Sequence, residues 1–168
     1  MSALSARASR SIQFVGPALG YTYKVADAAV IYKHAFVGLA GSGYATSATA
    51  GYAIPFEDAT AVQYLGLAEK GGPNQTSIND SVTGDTDASP VPTIWVVTSP
   101  FIVLSATVTG ASAVSDNGKL VYLSNDNDMT LSSGTVVASG VVEEWVSSTT
   151  CHVKFFGRDL WRVYAAAA

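Results

Sequence analysis

The densest run of chemistry-bearing side chains is Asn125-Asp126-Asn127-Asp128, inside "LSNDNDMT". Carboxylate and amide oxygens crowded into a short loop are what a hard cation such as calcium binds. A helix–loop–helix calcium site needs ligands at alternate positions, a glycine at the sixth and a bidentate glutamate at the twelfth. Counted from Asn125, those two places hold Thr130 and Val136, so the pattern fails. Asn and Asp also tolerate left-handed backbone and cap their own turns, which suits the tip of a tight hairpin. The loop therefore reads as a turn and not as a metal site.

Nucleophilic chemistry has as little to work with. His34 and His152 are the only histidines and Cys151 the only cysteine. Cys151 and His152 are neighbours in "TTCHVKF", an alternating strand pattern, so their side chains point to opposite faces and form no dyad. The Gly-x-Ser-x-Gly elbow is missing, because "GLAGSG" has its glycines at the wrong spacing. The same stretch fails the dinucleotide and P-loop patterns, with no helix after it to present its N-terminus to phosphate. Glu143 and Glu144, adjacent on a strand, alternate faces and make no glycosidase pair by themselves. The expectation is a protein that is not an enzyme and carries no cofactor.

The elements that would position such groups are almost all strands. No window sustains apolar residues at i, i+3, i+4 and i+7, and β-branched residues interrupt most helix candidates. Strand patterns recur in "SIQFV", "AAVIY", "AFVGLA", "AVQYLGLA", "TIWVVT", "FIVLSATV", "KLVYLS", "TVVASGVVEEW" and "CHVKFF". Gly, Pro, Asn, Asp and Ser clusters punctuate them. The fold class expected is all-β, a small barrel or sandwich. Residues 1–11 read as a flexible N-terminal arm, 12–157 as the β-rich body and 158–168 as a C-terminal tail. Residues 69–93, polar and rich in Gly, Pro, Asp and Ser, read as one long exposed loop.

Charged residues make up only 13% of the 168-residue chain, about half the share usual in a soluble domain. Little self-repulsion then opposes association, so a surface covered by copies of itself or by a partner is expected. The net charge of −4 is unevenly spread, with basic ends around an acidic middle. Nucleic-acid binding by the body is not expected, since phosphates need a concentrated positive face. No apolar run reaches membrane-spanning length, and one cysteine excludes an intrachain disulfide framework.

The sequence also repeats itself loosely. "AFVGLA" (35–40) matches "KLVYLS" (119–124), "GYATSAT" (43–49) matches "DMTLSSG" (128–134), and "QYLGLAEK" (63–70) sits beside "ASGVVEEW" (138–145), keyed on Gly66 and Gly140. Val37 and Gly66 are 29 residues apart and Val121 and Gly140 are 19 apart, so a ten-residue insertion, placed at "GYAIPFEDAT", accounts for the difference.

The passages "DNGKLVYLSNDNDMTLSSGT", "ASGVVEEWVSST" and "CHVKFFG" resemble the strand-and-turn pattern of small head-decoration, or capsid cement, proteins of tailed bacteriophages. "AFVGLAGSGYATSATAGY" and "QYLGLAEKGG" resemble that family's opening, so the resemblance spans roughly residues 12–157. The 73–93 stretch and the aromatic tail depart from it. The resemblance implies a β-tulip-like structural protein on the outer capsid surface of the virion, assembled in the host cytoplasm. Its implied partners are the major capsid protein and copies of itself in a homotrimer, with no nucleic acid and no membrane. The capsid-contact candidates are Arg7, Arg10, Phe14, Trp161 and Tyr164, the arginines facing acidic partners. The alternative from another class is a host-surface or carbohydrate-binding β-module of a virion.

Overall fold

A computed structural model describes residues 10–41, 51–56, 61–71, 81–133 and 138–160. Every segment expected from the alternation contains a strand among its described residues, and the fold is all-β as expected. The second half is a closed five-stranded barrel. Its strands are β9 (Phe101–Thr109), β10 (Leu120–Leu123), β11 (Met129–Thr130), β12 (Gly140–Ser147) and β13 (Thr150–Phe155). Neighbours run β9-β13-β12-β10-β11, and β11 returns to β9 in parallel at Met129↔Val108, which closes the ring. A closed sheet leaves no edge among these strands there. One further strand, β1 (Ser11–Phe14), lies antiparallel on β9 outside the ring, from Ser11↔Leu104 to Phe14↔Phe101.

The first half repeats this plan strand for strand. It is built from β2 (Gly20–Lys24), β4 (Phe36–Ala40), β5 (Ala53–Pro55), β6 (Ala61–Gly71) and β8 (Thr93–Val97), ordered β2-β8-β6-β4-β5. A parallel bridge, Val25↔Ala53, joins its end strands where Val108 meets Met129 in the second half. The two remaining strands, β3 (Val30–Tyr32) and β7 (Ser81–Thr83), form an outlying antiparallel pair.

Register carries the equivalence down to single residues. Val37 pairs with Gly66 as Val121 pairs with Gly140, the two pairs on which the sequence echo was keyed. Both halves shift register at the same place, between Ala68 and Lys70 and between Val142 and Glu144. The turns entering β4 and β10 match as well. The His34 amide donates to the Ala68 carbonyl at 2.7 Å and the Gly118 amide to the Val142 carbonyl at 2.8 Å. His34 and Gly118 both have positive φ, 64° and 81°.

The interiors are equivalent too. Val25, Val37, Ala53, Ala68, Ile94 and Val96 line the first barrel where Val108, Val121, Met129, Val142, Cys151 and Val153 line the second, and all are buried. The other face of β4 and β6 contributes Phe36, Tyr64 and Leu67 to the second barrel's cluster, where Phe36 lies 4.6 Å from Phe155 and Phe155 stacks on Phe101 at 5.2 Å. The strands β4 and β6 are therefore buried on both faces, which is why "AFVGLA" and "QYLGLA" read as nearly continuous apolar runs.

Three expectations need correction. The repeat aligns Tyr52 with Asp128, because the Ala40 amide donates to the Tyr52 carbonyl (2.8 Å) as the Ser124 amide does to that of Asp128 (3.1 Å). Eleven residues separate Ala40 from Tyr52 and three separate Ser124 from Asp128, so most of the insertion precedes β5 and does not begin at Gly51. Residues 69–93 are not one loop, since β6 runs to Gly71 and β7, with buried Val82, lies inside the stretch. The body begins no later than Arg10, for Ser11 is already paired in β1.

Candidate docking surface

Arg10 and the Asn125–Asp128 turn belong together. The Asn125 Oδ1 accepts the amides of Asn127 and Asp128, both at 2.8 Å, and its Nδ2 donates to Asp128 Oδ2 at 2.8 Å. The side chain thus caps its own turn, as the hairpin reading expects. This rigid turn presents the Asn127 carbonyl and Oδ1 to Arg10 Nη2, at 2.9 and 2.8 Å. Arg10 Nη1 donates to the His34 carbonyl, and the guanidinium lies 4.3 Å above the Phe36 ring. Burial pulls the Arg10 pKa down to about 10, against the attraction of Asp126, Tyr64 and Asp128. The same burial raises the Tyr64 hydroxyl well above its ordinary range.

Arg10 is therefore a clasp between β1, the first barrel and the β10–β11 turn, and its donors point inward rather than to an external acid. A guanidinium offers a planar fork of donors, and here three of its bonds go to acceptors of this chain. Arg7, Trp161 and Tyr164 lie outside the described residues.

Phe14 does face solvent. It ends β1 opposite Phe101 and keeps 36% of its surface exposed. Behind it, Val15, Leu19 and Tyr21 are exposed at 44%, 64% and 57%, and Leu160 at 46%. The backbone gathers these residues around the Thr98–Phe101 connection between the barrels. Val15 donates its amide to the Pro100 carbonyl at 3.4 Å, the Leu19 carbonyl accepts from Thr98 at 2.9 Å, and Arg158 donates to the Thr98 carbonyl at 2.9 Å. Arg158 also donates to the Tyr23 hydroxyl at 2.8 Å and sits 5.1 Å from the Tyr21 ring. These exposed apolar side chains, beside Arg158 and its ion-pair partner Asp159, are the most partner-like feature of the described residues.

Leu19 and Tyr21 were not singled out from sequence. Their signal is faint, a "PALG" turn followed by "YTYK", whose tyrosines look like core residues until the strand is placed at an edge. The residues weighed for catalysis are dispersed. Cys151 is buried in the second barrel, and burial pushes its thiol pKa up, with a further push from Asp116. The neighbouring His152 points the other way, where its Nδ1 accepts the Ser105 amide at 3.0 Å. His34 Nε2 lies 3.5 Å from Glu69 and Lys33 3.9 Å from the same carboxylate. Among the described residues no three His, Cys, Asp or Glu side chains gather as metal ligands.

The chain is thus a duplicated β-barrel with an apolar surface at the junction of its halves. No protein-family model matches it, and no match to a curated protein or a solved structure was found.

Proposed function

We propose that this protein is a capsid decoration, or cement, protein that binds the outside of an icosahedral phage head through the apolar junction surface. The observation that carries the reading is the exposed set Phe14, Val15, Leu19, Tyr21 and Leu160, close to the connection between two rigid barrels. A charge-poor chain with such a surface gains by covering it. The strand-and-turn resemblance to head-decoration proteins supplies the partner, the major capsid protein, and the three-fold copy number. Cementing is multivalent. Each copy makes a modest contact, and joined copies tie several capsid subunits together through high effective concentration.

The test mixes purified protein with mature heads stripped of decoration and measures co-sedimentation, followed by electron microscopy of the complex. Saturable binding with new density on the shell exterior is expected, and Leu19→Glu should reduce occupancy while leaving the fold intact. Protein that never co-sediments with heads, yet binds defined glycans on an array, would favour the carbohydrate-binding alternative.

A further inference from the structure

The two barrels are equivalent except at one strand edge. Over Phe101–Val103, β9 is paired on both sides, with β13 through Ile102↔Lys154 and with β1 through Ile12↔Val103. Its counterpart in the first barrel is β2, where Gly20 pairs with Val97 as Ile102 pairs with Lys154. The match is fixed independently by the glycines, for Gly66 is pressed against the Val97 carbonyl and Gly140 against that of Lys154. Among the described residues β2 pairs only with β8, so the edge that β1 covers in the second barrel is bare in the first.

That edge carries one of the usual protections, the charge of Lys24 at its end, and lacks the others. It has no proline, its register with β8 is regular from Gly20 to Lys24 without a bulge, and Tyr21 and Thr22 are exposed. Unpaired amides and carbonyls on a flat edge are a template for another strand. We propose that the β2 edge pairs antiparallel with the β2 edge of a second copy of this chain across a two-fold axis at Thr22. In this register Tyr21 of each copy faces Tyr23 of the other, a cross-strand aromatic pair, and each Lys24 faces Gly20 so that the two lysines do not meet. The low charge of the chain leaves little to oppose the approach. The contact shares Tyr21 with the surface proposed to meet the head, so it is a contact of the free protein and is tested without heads.

Sedimentation velocity of the full chain over a concentration series should show a monomer–dimer equilibrium. Thr22→Lys sets two like charges face to face on the axis and should weaken the dimer by about tenfold or more, with the circular dichroism spectrum unchanged. Thr22→Cys should give a disulfide-linked dimer under mild oxidation. Lys24→Cys should not, because in this register the two positions are roughly 13 Å apart along the strands. In hydrogen exchange, the β2 amides should gain protection as concentration rises. A strict monomer with unprotected β2 amides overturns the proposal, as does an oligomer indifferent to Thr22→Lys. Protection of β2 in a monomer that is lost when the chain is cut after Leu160 would assign the edge to the C-terminal segment and overturn it equally.

Discussion

Replacing Gly66 by alanine tests the duplicated register at its most sensitive point. A Cβ on Gly66 would stand 1.8 Å from the Val97 carbonyl oxygen and 2.9 Å from its carbon, both main-chain atoms that have no rotamer to escape into. The residue also sits at φ 146°, where side chains are strained whatever the space. Overpacking and backbone strain each cost about 1–3 kcal/mol, so Gly66→Ala should destabilise by about 3–5 kcal/mol. Gly140, the counterpart, meets the Lys154 carbonyl oxygen at 2.7 Å without a positive φ, and its alanine should cost about 1–3 kcal/mol. Gly118 is the control, because its φ is 81° but nothing lies within 4 Å, leaving a conformational cost of about 1–2 kcal/mol. Urea denaturation of the three variants gives the ranking from midpoints at unchanged slope. Gly66→Ala no less stable than Gly118→Ala would refute the close approach of β6 to β8, and with it the matched register of the barrels.

Arg10→Ala should destabilise by about 2–4 kcal/mol in the same assay, since it removes charge-assisted bonds and leaves the Asn127 and His34 acceptors without their donor. Arg10→Lys should recover only part of that loss, because an ammonium cannot bridge both acceptors. The Asp116 carboxylate is held at a pKa of about 2 by its bond to Lys119 and by the Ser112 and Ala113 amides. Its folded value lies below the unfolded one, so its stabilisation is full above the ordinary carboxylate pKa and disappears as pH falls through about 2. Asp116→Asn should therefore lower the urea midpoint at pH 7 and narrow the difference from the parent chain near pH 2. Added calcium should move the melting temperature no more than added sodium at equal ionic strength, and a saturable rise reversed by chelator would mean the Asn125–Asp128 turn holds a cation.

Strands with one buried face announced themselves by alternation, and those buried on both faces by apolar runs. The strands that escaped notice are β2, β5, β7 and β11. Three of these are only two or three residues long, and β2 has no fully buried face, so no period stands out. The repeat was legible where geometry fixes the residue, at Val37 with Gly66 and at Val121 with Gly140. It was misplaced between them, because nothing in a turn sequence says on which side of a two-residue strand an insertion falls. Phe14 could be assigned to the surface from its place at the end of a strand. The role of Arg10 could not, for its acceptor Asn127 is 117 residues away and only the closed second barrel brings that turn to β1.

The duplication separates what folding requires from what it does not. Two barrels that share strand order, bulge, turn bonds and glycines show that those features suffice for closure in either sequence context. Whatever one barrel has and the other lacks is then not demanded by the barrel itself. Chief among the described differences is β1, held by Arg10 on the edge of β9, against the bare edge of β2. Close to that edge lie Leu19, Tyr21 and Arg158, which also define the apolar junction. The asymmetry and the exposed apolar surface thus fall on one side of the molecule. A barrel under selection for stability alone would protect such an edge along its length, and β2 has only Lys24, at its end. A regular, aromatic edge fits the two-fold pairing proposed for it.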